Sequence, residues 1–209
     1  MLIPNVFVKH NIKPRGIIHI GAHLCEERQI YNIAGVPDNS ILWIEGNPNL
    51  VDRIKNTMQG VQVIEGLVSN SEKDIDFIVT NNGQSSSYLQ LKLHRVYHPD
   101  VVESYTIKSK TITLPKLLEQ NNINCSDYDF LVMDIQGAEY DALSGMEELL
   151  HNFEYLYLEV NTQELYEGCG LLSDIQALLA KHNFSLVEKQ MTPFYWGDAL
   201  FRRNENKYN

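Results

Sequence analysis

The chain has 209 residues, 44% hydrophobic and 21% charged, a size and balance suited to a single globular domain with its own core and no need of staples. Its net charge of −10, from 27 acidic and 17 basic residues, argues against a broad basic face that grips nucleic-acid phosphates, leaving only local pairs such as Lys108 with Lys110 and Arg202 with Arg203. Cys25, Cys125 and Cys169 are too scattered for a disulfide framework or a zinc spacing, and neither a bilayer-length apolar run nor a charged-then-apolar leader in residues 1–5 is present, so a reducing, cytoplasmic setting without a membrane span is expected.

Short apolar runs alternate with helical stretches. Ile17-Ile18-His19-Ile20 ends at Gly21, Ile41-Leu42-Trp43-Ile44 at Glu45, and Val61-Gln62-Val63-Ile64 at Glu65-Gly66. Phe130-Leu131-Val132-Met133 ends at Asp134, and Tyr155-Leu156-Tyr157-Leu158 at Glu159. Near-continuous apolar strands of this kind suit a parallel sheet covered on both faces. Between them, residues 26–33, 48–57, 115–121, 138–151 and 171–182 read as helices, with Pro48 and Pro115 suited to first helical turns. Strand–helix alternation implies right-handed crossovers and a doubly wound α/β sheet. Residues 74–80 and 104–113 alternate like strands around a polar loop, forming a strand-rich insertion over about 71–114 within one domain spanning 1–209. At the C-terminus, 184–189 and 195–202 flank a turn with Pro193 and are close enough to pair as an antiparallel hairpin.

The carboxyl ends of the central strands of such a sheet form its ligand crevice. Gly21 lets the backbone turn sharply there and admits a ligand. A dinucleotide site asks for G-x-G-x-x-G, yet His23 and Glu26 occupy the second and third glycine positions. An imidazole and an acid suit pyrophosphate poorly and tolerate a cationic cofactor. Glu45 ends the second strand 24 positions after Gly21, where a carboxylate can accept from both hydroxyls of an adenosyl ribose. By itself it indicates adenosine, which nicotinamide cofactors also contain. Gly46-Asn47-Pro48 supplies a turn beside the nucleoside. His19, inside an apolar strand, reads as a core histidine. His94, His98, Asp100 and Glu103 show no metal spacing and read as a solvated helix face, so no metal site is expected. The serine-rich loop 81–88 reads as a lid over the crevice.

Ile18-His19-Ile20-Gly21-Ala22-His23, Ile44-Glu45-Gly46-Asn47-Pro48, Leu67-Val68-Ser69-Asn70, Ser85-Ser86-Ser87 and Met133-Asp134-Ile135-Gln136-Gly137-Ala138-Glu139 occur in order over residues 16–160. In that order and spacing the chain resembles the FkbM family of S-adenosylmethionine-dependent methyltransferases, with Asp134 to Glu139 similar to its D-x-E-G-x-E segment. The resemblance implies a Rossmann-like, class I methyltransferase fold: seven strands, mostly parallel, with an antiparallel C-terminal hairpin. It implies that Gly21, Ala22 and His23 hold the methionine part of S-adenosylmethionine. Glu45 with Gly46 and Asn47 would hold the ribose, Val68 and Ser69 would flank adenine, and Asp134 would sit beside the sulfonium. Asp134 and Glu139 are then the candidate catalytic bases for a hydroxyl acceptor, with His23 behind them. The chain departs from the family pattern where His19 replaces Asp, His23 replaces Asn and Gln136 replaces Glu.

The expected activity is O-methylation of a hydroxyl on a sugar or small metabolite, with no nucleic-acid partner. Two alternatives remain. One is a methyltransferase-like module that has lost catalysis, suggested by His19 and Gln136. The other is an NAD(P)-dependent oxidoreductase, favoured by Glu45 and opposed by the missing glycines.

Overall fold

Alternation along each central strand sorts its side chains onto the two faces of one sheet. Ile18, Ile20, Leu42, Ile44, Leu131, Met133, Leu156 and Leu158 share one buried cluster, while Ile17, Ile41, Trp43, Phe130, Val132 and Tyr157 share the other. Both faces are covered, which is why these runs carry almost no polar residue.

The computed structural model describes residues 6–205; residues 1–5, inspected above for a leader, and 206–209 lie outside them. In chain order the elements are α1 (Val6–Lys9), β1 (Ile17–Ile20), α2 (Arg28–Ile33), β2 (Ile41–Glu45), α3 (Pro48–Thr57), β3 (Gln62–Glu65), β4 (Leu67–Val68) and β5 (Asp74–Thr80). Then come α4 (His94–Tyr97), β6 (Glu103–Ile112), α5 (Leu114–Gln120), β7 (Phe130–Met133), α6 (Glu139–Ser144), β8 (Tyr155–Asn161), α7 (Leu172–Lys181), β9 (Phe184–Met191) and β10 (Trp196–Arg203). Seven strands form the main sheet in the order β3-β2-β1-β7-β8-β10-β9. The pairs from β3 through β8 are parallel, and β10 runs antiparallel to both β8 and β9. This is the α/β, mostly parallel arrangement with an antiparallel C-terminal pair expected above. A separate three-stranded sheet, β4-β6-β5, occupies most of the strand-rich stretch.

Two elements differ from expectation. The helix expected over 138–151 is broken: α6 stops at Ser144, and a 3-10 helix follows over Glu147–Asn152. At Gly145 between them, a Cβ would lie 2.3 Å from the carbonyl oxygen of Ser69, so backbone from a distant loop passes where a side chain would stand. Strand β8 runs three residues past Leu158, because β10 pairs with it as far as Trp196 opposite Asn161. Among the described residues, no helix is long and apolar enough to cross a membrane.

The chain runs outward through β1, β2 and β3, then returns to place β7 on the other side of β1. That reversal opens a crevice beyond the carboxyl ends of β1 and β7.

Candidate active site

Register places four of the strand-end residues in one row. Ile20 pairs with Ile44 and with Met133, and Met133 pairs with Leu158. The residues that follow, Glu45, Gly21, Asp134 and Glu159, therefore stand side by side at the crevice. Gly21 has φ +89°, and a Cβ there would lie 1.9 Å from the carbonyl oxygen of Asp134. Only glycine allows the two strand ends to approach this closely.

Glu45 points into the crevice opened by Gly21. Its Oε2 accepts from the backbone N–H of His23 at 2.8 Å, and its Oε1 from that of Asn47 at 2.7 Å. Burial pushes the carboxyl above its usual range, while the two amides favour its charged form. Asn47 also caps α3, its side chain accepting from the Asn49 amide at 3.0 Å. His23 holds left-handed backbone, φ +44°, and its ring pairs with Glu26, which raises the imidazole pKa.

Past Asp134 the chain turns through two left-handed residues, Gln136 (φ +56°) and Gly137 (φ +96°). Gln136 Nε2 donates to Asp134 Oδ1 at 2.6 Å and to Glu159 Oε2 at 2.8 Å, and its Oε1 accepts from the Tyr166 hydroxyl at 2.5 Å. Both carboxyl oxygens accept here, so the amide nitrogen faces them. Glu139 is buried at the head of α6, its Oε1 accepting from the backbone N–H groups of Ile135 (2.8 Å) and Gly137 (3.3 Å). Carboxylate oxygens of Asp134, Glu139 and Glu159 all lie within 4.8 Å of one another. Burial, reinforced by Asp134, pushes the Glu139 carboxyl up to about 8. Burial and the charges of Asp134, Glu139 and Asp198 push that of Glu159 well above the carboxylate range.

Two clefts meet at this row. The smaller, about 560 Å³, has apolar walls from Leu67, Val68 and Phe77 and contains Glu45 and Gly46. The larger, about 1280 Å³, is lined by Glu159, Asn161, His94, His98, Tyr166 and Trp196, among others. Gly21, His23, Gln84, Asp134 and Gln136 line both. The loop 81–88 forms a wall between them that is hydrogen-bonded in place: Ser87 pairs with Ile78 of β5, and Ser86 Oγ donates to the Gly83 carbonyl at 2.7 Å. The lid expected there is a braced wall in this structure.

Several other expected residues sit behind the walls. Ser69 is buried and shares a 3.0 Å hydrogen bond with Tyr88, which itself lines the smaller cleft, so Ser69 acts on that wall through Tyr88. Ala22 is buried and reaches the larger cleft only. Glu139 lines neither cleft, because its carboxylate is drawn under the loop by the two amides. His19 borders the larger cleft but is the core histidine expected: it bonds Tyr31 at 2.8 Å, stacks on Trp43, and burial lowers its pKa to about 3. His94 and His98 are not a solvated helix face. His94 is 7% exposed and both rings line the larger cleft, because α4 is a single turn folded against Tyr166. Glu159, Asn161 and Tyr166 are site residues that pattern reading missed. Glu159 shares the strand-end position of Glu45 and Asp134, and that signal was available.

The smaller cleft combines the buried carboxylate of Glu45, apolar walls and, where it meets the larger cleft, Asp134. The Methyltransferase FkbM domain matches residues 19–186.

The chain belongs to the FkbM methyltransferase family.

It is 28% identical over 179 residues to the 2-O-methyltransferase NoeI of Sinorhizobium fredii, covering 81% of this chain and 72% of that one. Among solved structures, the magnesium protoporphyrin IX methyltransferase of Synechocystis PCC 6803 aligns over 97% of this chain and 76% of its own, with a TM-score of 0.52 at 10% identity. The tRNA methyltransferase TrmK of B. subtilis aligns over 98% and 67%, with a TM-score of 0.51 at 9% identity. These likenesses show the class I methyltransferase fold. As an FkbM methyltransferase the chain uses S-adenosylmethionine, and the nicotinamide alternative gives way.

Proposed function

We propose that this FkbM methyltransferase transfers a methyl group to a hydroxyl of a sugar or other small metabolite. One observation carries the proposal: Asp134 stands on the wall shared by the smaller cleft, which holds the buried Glu45 between apolar walls, and the larger, more polar one. S-adenosylmethionine, when bound, supplies a methyl group on a sulfonium, which passes to the acceptor oxygen as the C–S bond breaks. Glu45, its orientation fixed by the amides of His23 and Asn47, would hold the ribose hydroxyls, and Leu67, Val68 and Phe77 would enclose the base. Asp134 takes the acceptor's proton as the new C–O bond forms, while Gln136, braced by Tyr166, keeps that carboxylate aligned. Glu139 holds the loop that carries Asp134. The relative's designation as a 2-O-methyltransferase supports oxygen as the acceptor atom.

Calorimetric titration with S-adenosylhomocysteine, followed by tritiated methyl transfer to a panel of monosaccharides, glycosides and polyols, tests this. Saturable binding and label on a hydroxyl compound are expected. No heat from folded protein at millimolar ligand removes the site assignment. Binding without turnover across the panel favours the inactive binding module.

A further inference from the structure

We propose that Asp134, Glu159 and Asn161, with Glu139 behind them, form a site for a divalent cation of the hard, oxygen-seeking class. Its use, holding an acceptor hydroxyl beside Asp134, rests on the methyl-transfer reading above; the binding itself does not.

Two oxygens on opposite sides of a cation bound at 2.0–2.4 Å lie roughly 4–5 Å apart. The oxygens of Asp134, Glu139 and Glu159 fall within 4.8 Å of one another, so one from each can reach a common ion. Asp134 Oδ1 and Glu159 Oε2 accept from Gln136, and Glu139 Oε1 accepts from backbone amides, while the Asp134 and Glu159 carboxyls also meet each other directly. The charges acting on Glu159 are all acidic. A cluster with no internal cation calls for a proton or a positive ligand.

Asn161 supplies the independent observation. It lies two residues beyond Glu159 on β8, hence on the same face, and lines the same cleft. It is 1% exposed, and its amide nitrogen has no hydrogen-bond partner. Buried carboxamides are normally satisfied. The two ends of a carboxamide are distinguished only by what they bond, so with this one turned over its oxygen takes the buried, unpartnered position. Three carboxylates and a carboxamide make an all-oxygen donor set, which suits Mg²⁺, Mn²⁺ or Ca²⁺ over thiophilic metals.

The test is titration of the intact chain, without cofactor, with Mn²⁺, following the free-ion signal by electron paramagnetic resonance, with Mg²⁺ as competitor. One Mn²⁺ per chain is expected. Glu159→Gln, which keeps the side chain's shape, weakens binding about tenfold or more. Asn161→Asp, which adds an anionic oxygen, tightens it about threefold or more. No uptake by folded wild type at millimolar Mn²⁺ overturns the proposal, as does equal affinity in wild type and Glu159→Gln. Should Glu159→Gln fail to fold, unchanged affinity in Asn161→Asp overturns it alone. Parallel calorimetry with S-adenosylhomocysteine separates the two readings. Mn²⁺ uptake without nucleoside binding leaves the cation site and removes the cofactor site; nucleoside binding without Mn²⁺ uptake does the reverse.

Discussion

On the β2 side of the site, Glu45 gives both oxygens to backbone amides, those of His23 and Asn47. On the β8 side, Asp134 and Glu159 share one side-chain amide, that of Gln136. Backbone donors persist through almost any substitution that preserves the fold. A carboxamide is a single residue that can be exchanged. The geometry of the β2 half is thus built into the chain path, while the charge of the β8 half is set by side chains. Gln136, standing where the family pattern has Glu, leaves that half one negative charge fewer.

The largest effect should come where the halves meet. Asp134→Asn lowers kcat for a hydroxyl acceptor by about 10²–10⁴-fold, read from methyl transfer at saturating S-adenosylmethionine. A loss confined to cofactor affinity would move Asp134 out of the proton-transfer role. Next is Gly21→Ala, which forces a Cβ into the Asp134 carbonyl at a positive φ. A cost of about 2–4 kcal/mol is expected, seen in thermal unfolding as roughly 2–4 °C per kcal/mol. Glu45→Gln turns an amide donor toward a backbone N–H and weakens S-adenosylhomocysteine binding about tenfold to a hundredfold, measured by calorimetry.

The halves also differ in how stability follows pH. Burial raises the Glu139 carboxyl from the usual 4.5 to about 8. Its contribution is full below pH 4.5 and is lost as pH rises toward 8. Glu139→Gln should therefore flatten the decline of Tm between pH 5 and 8. A parallel decline in both proteins would show that Glu139 ionises normally. In the core between them, His19 of β1, with its pKa lowered from 6.5 to about 3 by burial, has the opposite sign. Its contribution is present above pH 6.5 and is lost as pH falls toward 3. The smallest effect is expected for Tyr88→Phe, which removes the hydroxyl bonded to Ser69 and Asp141. About 1 kcal/mol, or roughly 2–4 °C in Tm, should be lost with little change in kcat.

Local pattern made much of this legible. The apolar runs ending at Gly21, Glu45 and Asp134 are strands ending at those residues or one before them, and Pro48 does open a helix. Local pattern failed where a distant segment intervenes. The helix expected through Gly145 ends where Ser69 backbone packs so close that only glycine fits, and His94 is buried because α4 folds onto Tyr166. Neither event leaves a mark in the neighbouring letters.

Periodicity and strand-end chemistry are properties of adjacent residues, so the amino-acid order alone determined the α/β class, the order of its strands along the chain and the candidate pocket acids Glu45 and Asp134. Which strand lies beside which is decided by crossovers and register, a matter of burying two faces at once. Only the folded sheet could place Glu159 next to Asp134 and leave Asn161 unpaired in the same cleft. Lateral neighbours in a parallel sheet are separated by whole helices of sequence, and no short-range signal spans that gap.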